Sequence, residues 1–375
     1  MRLSGPQALS IVGGLVRARG PLDQFPSHAL RRVALLDPRS RTPLDDALCV
    51  VMRAPRSYTG DDVVELSCHG SPALLRMIVK LARERGARLA EPGEFTRRAF
   101  LNGRIDLTRA EAVALMIGAR TERAVTLAAR ALAGELGTRV ERLRSELLDV
   151  IAGLEVALDF PDEQVGLASG QAWSDVTRLA AGVDEMLALT DRARAIHQGV
   201  TVVLAGAPNA GKSTLLNALL GADRAIVSPV PGTTRDIVEG TIALGGIPVV
   251  LRDTAGIGPT TDAIEAEGVR RTLKAIDDSD LVLLIIDGSA APDARVLEVA
   301  RQRSCLVVRT KSDLPADDGA RAIPDALEVS ALTGTGIATL LDHLGSEITQ
   351  RVSPDDDAGL FVTTLRQREV LESLR

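Results

Sequence analysis

Gly206-Ala-Pro-Asn-Ala-Gly-Lys-Ser213 decides the fold. It fits the pattern G-x-x-x-x-G-K-[S/T]. An aliphatic run of strand length, Val200 to Ala205, precedes it, and a helical stretch from Thr214 to Leu220, closed by Gly221, follows. Strand, glycine loop and helix form the setting in which this pattern cradles phosphate. Glycines let main-chain N–H groups approach phosphate oxygens, and the helix N-terminus adds partial positive charge. Lys212 is placed to bridge β- and γ-phosphates, and Ser213 to hold Mg²⁺. Asn209, Ala210, Gly211 and Thr214 complete the phosphate-facing loop.

Further segments name the base. Asp253-Thr254-Ala255-Gly256 closes a strand, where an aspartate can face Mg²⁺ and a glycine can sense the γ-phosphate. Thr310-Lys311-Ser312-Asp313 follows another strand. There a carboxylate can accept from guanine N1 and N2, and the lysine stem can cover the ring. Ser330-Ala331-Leu332 follows the next, where a main-chain N–H can meet guanine O6. In this order the motifs predict a guanine-nucleotide domain. Many such domains carry Asn where Thr310 stands, and the hydroxyl is expected to replace the amide in part. Between the first two motifs lies Pro231-Gly232-Thr233-Thr234-Arg235-Asp236, with Thr234 as the second expected Mg²⁺ ligand. Hydrolysis needs an oriented water and a neutralised phosphoryl group. Ile257, directly after Gly256, cannot orient water. Arg235 is either an arginine finger or a solvated loop residue, so another cation is wanted, and Asn209 offers it a carbonyl oxygen.

Around these motifs, Ile247 to Leu251, Leu281 to Ile286, Cys305 to Arg309 and Ala326 to Val329 read as strands alternating with helices. That predicts a mostly parallel sheet covered on both faces. Residues 107–158 and Gln171 to His197 are helical in spacing, with Gly134 and Gly137 as breaks and capping-box spacing at Thr108 and Glu111. The first hundred residues mix short strands (Ala47 to Met52, Asp62 to Ser67) with a helix from Pro72 to Arg85. Ser353 to Asp357 looks like a linker before a last helical stretch.

Composition bounds the rest. The chain has 375 residues, 45% hydrophobic and 25% charged, which fits two or three globular domains and excludes collagen-like or disordered classes. The longest aliphatic run, Leu281 to Ile286, is far below the ~20 residues of a membrane helix. Three cysteines cannot make a disulfide framework, which points to a reducing cytoplasm. Net charge is −6, yet residues 1–104 carry 17 Lys+Arg against 10 Asp+Glu, so that block could meet a polyanion such as RNA. Only 2% of residues are aromatic, so platforms for base stacking are scarce.

Taken together, Gly206 to Thr214, Gly232 to Asp236, Asp253 to Gly256 and the flanking helical block resemble the MnmE (TrmE) family of tRNA-modification GTPases. Arg2-Leu-Ser-Gly-Pro6, Tyr58 to Glu65, His69-Gly70, Pro92 to Phe95 and Ala99 to Leu107 resemble that family's N-terminal signatures. The resemblance implies an α/β plus α fold. A P-loop Ras-like G domain (198–352) is inserted in a helical domain (105–197 and 353–375) and preceded by an α+β tetrahydrofolate-binding-like dimerisation domain (1–104). It further implies a K⁺ ion in place of an arginine finger, held by Asn209, the carbonyls of Ser228 and Val230, and Thr233, with Pro229 in the same loop. Glu265 would be the catalytic acid/base acting through water, with Glu267 as the fallback. Arg2, Glu65 and Arg104 would bind 5-formyl-tetrahydrofolate or a related tetrahydrofolate. A carboxylate suits the N–H edge of a pterin and arginines suit a carboxylate tail. Arg104 stands where the family usually has Lys. His69, beside Cys68, is expected to play a structural or pocket-lining role rather than to act as nucleophile or metal ligand.

The implied activity is K⁺-dependent GTP hydrolysis in a homodimer. Together with MnmG (GidA) in a heterotetramer, it would drive addition of a carboxymethylaminomethyl-type group at C5 of the wobble uridine of certain tRNAs. Two departures stand out. The family begins with a strand ahead of the Arg-x-Ser-Gly-Pro motif and ends in Cys-x-Gly-Lys, and both are missing here. A truncated GTP-binding form without modification activity is therefore one alternative. An RNA-binding ribosome-assembly GTPase is the other, although no KH-type G-x-x-G segment follows the G domain.

Overall fold

The structure is a computed structural model of the chain, and it describes residues 1–160, 169–221, 239–254, 263–302, 305–352 and 364–374. It divides into two compact units, Met1–Ala114 and Leu115–Arg375.

The first unit is built on β1 (Arg2–Ser4), α1 (Ala8–Gly13), β2 (Val16–Arg17), β3 (Leu30–Leu36), β4 (Pro43–Met52) and β5 (Val63–Ser67). The strands form an antiparallel sheet in the order β1-β5-β4-β3-β2. Alternation decides which face is buried: Val33, Leu35, Ala47, Cys49 and Val51 point into one core with Ile11 and Val12 of α1. Then come α2 (Pro72–Glu84), α3 (Glu94–Leu101) and α4 (Leu107–Gly118). Ser71 caps α2 by accepting from the Leu74 N–H, with Pro72 at the first helical position. Ile78 and Leu81 of α2 join the same core. The start of α4 corrects the capping expectation. Asp106, not Thr108, receives the Arg109 N–H (2.9 Å), because the helix begins at Leu107, so that Asp106 directly precedes it and Thr108 already lies inside it; the same carboxylate takes the Thr108 hydroxyl.

The second unit begins within α4, at Leu115, and continues with α5 (Glu122–Ala133), α6 (Glu135–Asp159) and α7 (Ser169–Gln198). Gly134, at φ +90°, breaks α5 from α6, a left-handed position that glycine takes without strain. Gly137 does not break the chain. It lies inside α6, where the helix continues through it.

A six-stranded sheet follows. Its elements are β6 (Val200–Gly206), α8 (Lys212–Leu220), β7 (Glu239–Leu244), β8 (Ile247–Asp253), α9 (Ala263–Asp277), β9 (Leu281–Asp287), α10 (Ala294–Gln302), β10 (Leu306–Thr310), α11 (Asp318–Arg321), β11 (Leu327–Glu328) and α12 (Ile337–Val352). The strand order is β11-β10-β9-β6-β8-β7, parallel except for β7 against β8. Residues of β6 alternate between two cores: Val202 and Leu204 pack on one side with Leu215, Leu219 and Leu340, and Val203 and Ala205 on the other with Ile276 and Val296. Helices thus cover both faces. The last helix, α13 (Leu365–Ser373), returns to the helical part, where Leu371 is buried with Leu136 and Met186. A sheet domain inserted between helices that share a core is the arrangement the sequence predicted. Among the described residues, no helix is long and apolar enough to cross a membrane.

Candidate functional site

The C-terminal ends of β6, β8, β9 and β10 gather the predicted nucleotide residues, as an open parallel sheet does at its carboxyl edge. Gly206 must be glycine, since a Cβ there would stand 2.3 Å from the Ile285 carbonyl oxygen of the neighbouring strand. Asn209 (φ +59°) and Gly211 (φ +90°) take left-handed backbone, which curls the loop so that α8 starts at Lys212. The Asn209 side chain is exposed.

Lys212 is 7% exposed, and its ammonium donates to the carbonyls of Ala207 (2.8 Å) and Gly206 (3.2 Å). Burial pulls its pKa below the ordinary lysine value, against an opposite pull from Asp253. The Ser213 hydroxyl donates to Asp253 Oδ2, while Asp253 Oδ1 is buried without a hydrogen-bond partner among the described residues. A buried, unsatisfied carboxylate oxygen beside a hydroxyl is the donor set a hard divalent cation takes, so these residues fit Mg²⁺. Thr254 turns away from this point and donates to the Leu204 carbonyl at 2.8 Å.

The base side is as well ordered. Ser330, 1% exposed, donates to Asp313 Oδ1 at 2.6 Å and leaves Oδ2 for a ligand. Ser312 N–H donates to the Val329 carbonyl, which ties together the two loops expected to read the base. The Ala331 and Leu332 N–H groups donate to nothing among the described residues, and the Leu332 side chain is 84% exposed. Lys311 (φ +59°) donates to Asp287 Oδ2 at 2.6 Å. Burial alone would raise the Asp287 carboxyl, but hydrogen bonds from Lys311 and Ser289 outweigh it and hold the pKa below the ordinary value. Sequence reasoning missed Asp287. Its signal is an aspartate closing an otherwise all-aliphatic strand.

Several expected residues lie outside the described ones: Ser228, Pro229, Val230, Pro231, Gly232, Thr233, Thr234, Ala255 and Gly256, and the side chains of Glu265 and Glu267 on α9.

In the first unit, pairing of β1 with β5 sets Arg2 opposite Glu65, and Arg2 Nε donates to Glu65 Oε1. The Arg2 guanidinium also lies 5.5 Å from the Phe95 ring centre and 5.9 Å from that of Tyr58, within cation–π range. Both aromatic neighbours were missed as site residues. Arg104 is held separately, its Nε donating to the Ser57 carbonyl at 3.2 Å. Of the three, Arg2 lines a cavity of about 320 Å³ in this unit, with Gln7, Arg83, Arg88, Phe95 and Arg98, and Glu65 and Arg104 do not line it. The half-exposed Arg2–Glu65 pair offers a carboxylate and a guanidinium side by side, which fits a pterin carrying an acidic tail. His69 is exposed, and its ring is paired with Asp45 at 2.7 Å, a contact in keeping with a structural role.

Glu94 braces the cavity. Arg88 grips both its oxygens, Arg98 adds a bond of 2.9 Å, and the Glu91 N–H adds one of 3.0 Å. The Arg88 hydrogen bonds, then that N–H, hold its pKa at about 2 against the ordinary 4.5. A depressed carboxyl contributes stability that is complete above its unfolded value and is lost as pH falls through the folded one. Glu94→Gln should therefore flatten the loss of first-unit thermal stability between pH 4.5 and pH 2. Equal slopes for variant and parent in thermal scans across that window would refute the assignment.

Residues 1–104 match the family model described as the N-terminus of the GTP-binding protein TrmE, and residues 107–375 match that described as the MnmE helical domain. A protein named tRNA modification GTPase MnmE from Moorella thermoacetica is 43% identical over 394 residues, covering 100% of this chain and 84% of its own. Its namesake from Thermus thermophilus is 42% identical over 378 residues, covering 99% and 83%. Among solved structures, the G domain of the T. maritima FeoB iron transporter aligns at 28% identity with 40% of this chain and 99% of its own, at a TM-score of 0.30.

Proposed function

The chain belongs to the MnmE family of tRNA-modification GTPases, and from that premise we propose that its GTP hydrolysis is K⁺-dependent and powers modification at C5 of the wobble uridine of certain tRNAs. As a member of this family it is a GTP hydrolase acting in tRNA modification, with Mg²⁺ as the companion of its nucleotide. In our reading the group added is of the carboxymethylaminomethyl type, the partner is MnmG, and the working form is a homodimer. The division into 1–104, 105–197, 198–352 and 353–375 belongs to the same proposal.

The observation that carries the reading is the orphaned Asp253 Oδ1 beside the Ser213 hydroxyl, within a loop that also holds Lys212. Ser213 and Asp253 would hold Mg²⁺, which neutralises charge on the β- and γ-phosphates. Lys212 moves from its two carbonyl acceptors to the phosphates. Asp313 accepts the guanine N1–H and N2–H, and the Ala331 N–H donates to O6. Asn209 would offer its side-chain oxygen to K⁺, which supplies the charge an arginine finger would otherwise bring, and its exposed side chain on left-handed backbone is suited to that. Glu265 is assigned the proton-handling role through water. Arg2, Glu65 and Arg104 are assigned to a formyl-tetrahydrofolate that supplies carbon.

GTP turnover in KCl should exceed that in NaCl at equal ionic strength by about tenfold or more, and Asn209→Ala or Glu265→Ala should lower it by about a hundredfold. Equal rates in the two salts would remove K⁺ from the mechanism. Unchanged turnover in Glu265→Ala would move its role to Glu267 or elsewhere.

A further inference from the structure

Thr310 ends β10 beneath the phosphate loop and is 2% exposed. Its Oγ1 lies 2.6 Å from the Ala210 carbonyl oxygen and 3.1 Å from the Ile286 carbonyl oxygen. Carbonyl oxygens only accept, and a hydroxyl has one proton. That proton is therefore directed inward, to the loop or to β9. The Thr310 carbonyl is also engaged, accepting from the Gly288 N–H at 3.0 Å. Gly211 closes over the side chain: a Cβ on it would stand 3.6 Å from Oγ1 and 3.9 Å from the methyl group. What the side chain can still present to a ligand is a lone pair and a methyl, and neither donates.

Guanine asks for two kinds of partner. N1–H and N2–H need acceptors, and O6 and N7 need donors. Asp313 supplies the first kind and the free N–H of Ala331 serves O6. N7 lies on the opposite edge of the ring from N2, and Thr310, at the end of β10, is three residues before Asp313 in the same loop. Lys311, the cation next in sequence, is turned to Asp287 and held there at 2.6 Å.

We propose that this site reads guanine through N1, N2 and O6 and leaves N7 unread, because Thr310 spends its one donor fixing the phosphate loop. The inference rests on the guanine reading above and adds a specificity to it: nucleotides whose N7 is replaced by C–H are accepted as well as guanine nucleotides. A carboxamide at position 310 has an N–H to spare after one such inward bond, so Thr310→Asn would create the reading that the present chain lacks.

The test is displacement of a fluorescent GDP from the full chain by GDP, 7-deaza-GDP and ADP. For the unaltered protein, GDP and 7-deaza-GDP should agree within about twofold, whereas Thr310→Asn should prefer GDP by about five- to tenfold, the worth of one recovered hydrogen bond. A loss of threefold or more with 7-deaza-GDP in the unaltered protein overturns the proposal, whether or not the variant folds. Displacement by ADP as readily as by GDP, or none by GDP, would instead overturn the guanine reading beneath it.

Discussion

Lys212→Ala should lower GTP turnover by about a hundred- to a thousandfold while leaving the nucleotide-free protein at least as stable as the parent. The first figure is the usual cost of removing one charged or donating group that faces the transferring phosphoryl. The second follows from where the ammonium sits. Lys212 is 7% exposed, and burial pulls its pKa down, which means that the folded state disfavours the charge. Such a group lowers stability at neutral pH, and stability recovers as pH rises through the depressed folded value toward the unfolded one. Burial sets the direction of that shift, and the opposite pull of Asp253 does not cancel it. Removing the side chain relieves the cost in the empty protein and removes the phosphate partner in the loaded one, so the two observables move in opposite senses. Thermal unfolding without nucleotide, beside turnover at saturating GTP, checks both. A large fall in the unfolding temperature would mean that Lys212 is a structural cation. Turnover within tenfold of the parent would mean that the phosphates lie elsewhere.

What could be read from the sequence divides along physical lines. β6, β8 and β9 were legible because each is a continuous aliphatic run, the mark of a strand buried on both faces. β7 was not foreseen. Glu239-Gly-Thr-Ile-Ala-Leu244 is an edge strand whose alternation is weak, and its only clear signal is the turn at Gly245-Gly246 with φ of +56° and +75°. β3 escaped as well, since Arg31 and Arg32 interrupt its apolar pattern at an exposed end. At the candidate nucleotide site, Lys212, Ser213, Asp253 and Asp313 stand out in the sequence because the motifs that hold them are patterns of local spacing. The supporting contacts come from distant sequence: Thr310 on Ala210, Lys311 on Asp287, Ser330 on Asp313. Those depend on which strands become neighbours, and no spacing rule states it. The same holds in the first unit, where Arg2 meets Glu65, Tyr58 and Phe95 only after β1 has paired with β5.

Asp313→Asn should reverse the base preference from guanine to xanthine. The carboxylate is acceptor-only, and Ser330 already fills Oδ1 at 2.6 Å, so Oδ2 faces the ligand as an ionised acceptor. Guanine offers it N1–H and the N2 amino group, two donors to a charged acceptor, the strong class of hydrogen bond. Asparagine keeps one oxygen and turns the other into an N–H donor, which meets the N2 amino group donor to donor. Losing a charge-assisted pair and gaining an unpaired donor should weaken GDP by about a hundred- to a thousandfold. Xanthine carries an oxygen at position 2, so the same amide donor finds an acceptor there, and xanthosine diphosphate should bind the variant more tightly than GDP does. Ser330→Ala separates positioning from recognition. It removes the hydroxyl that aims Asp313 and leaves the carboxylate, so it should weaken GDP by about tenfold without any gain for xanthine. Competition between the two diphosphates for parent and both variants reads all of this in one titration. An Asp313→Asn protein that still prefers GDP would place the base away from Asp313, and with it the loop from Ser330 to Leu332 would lose its assigned role.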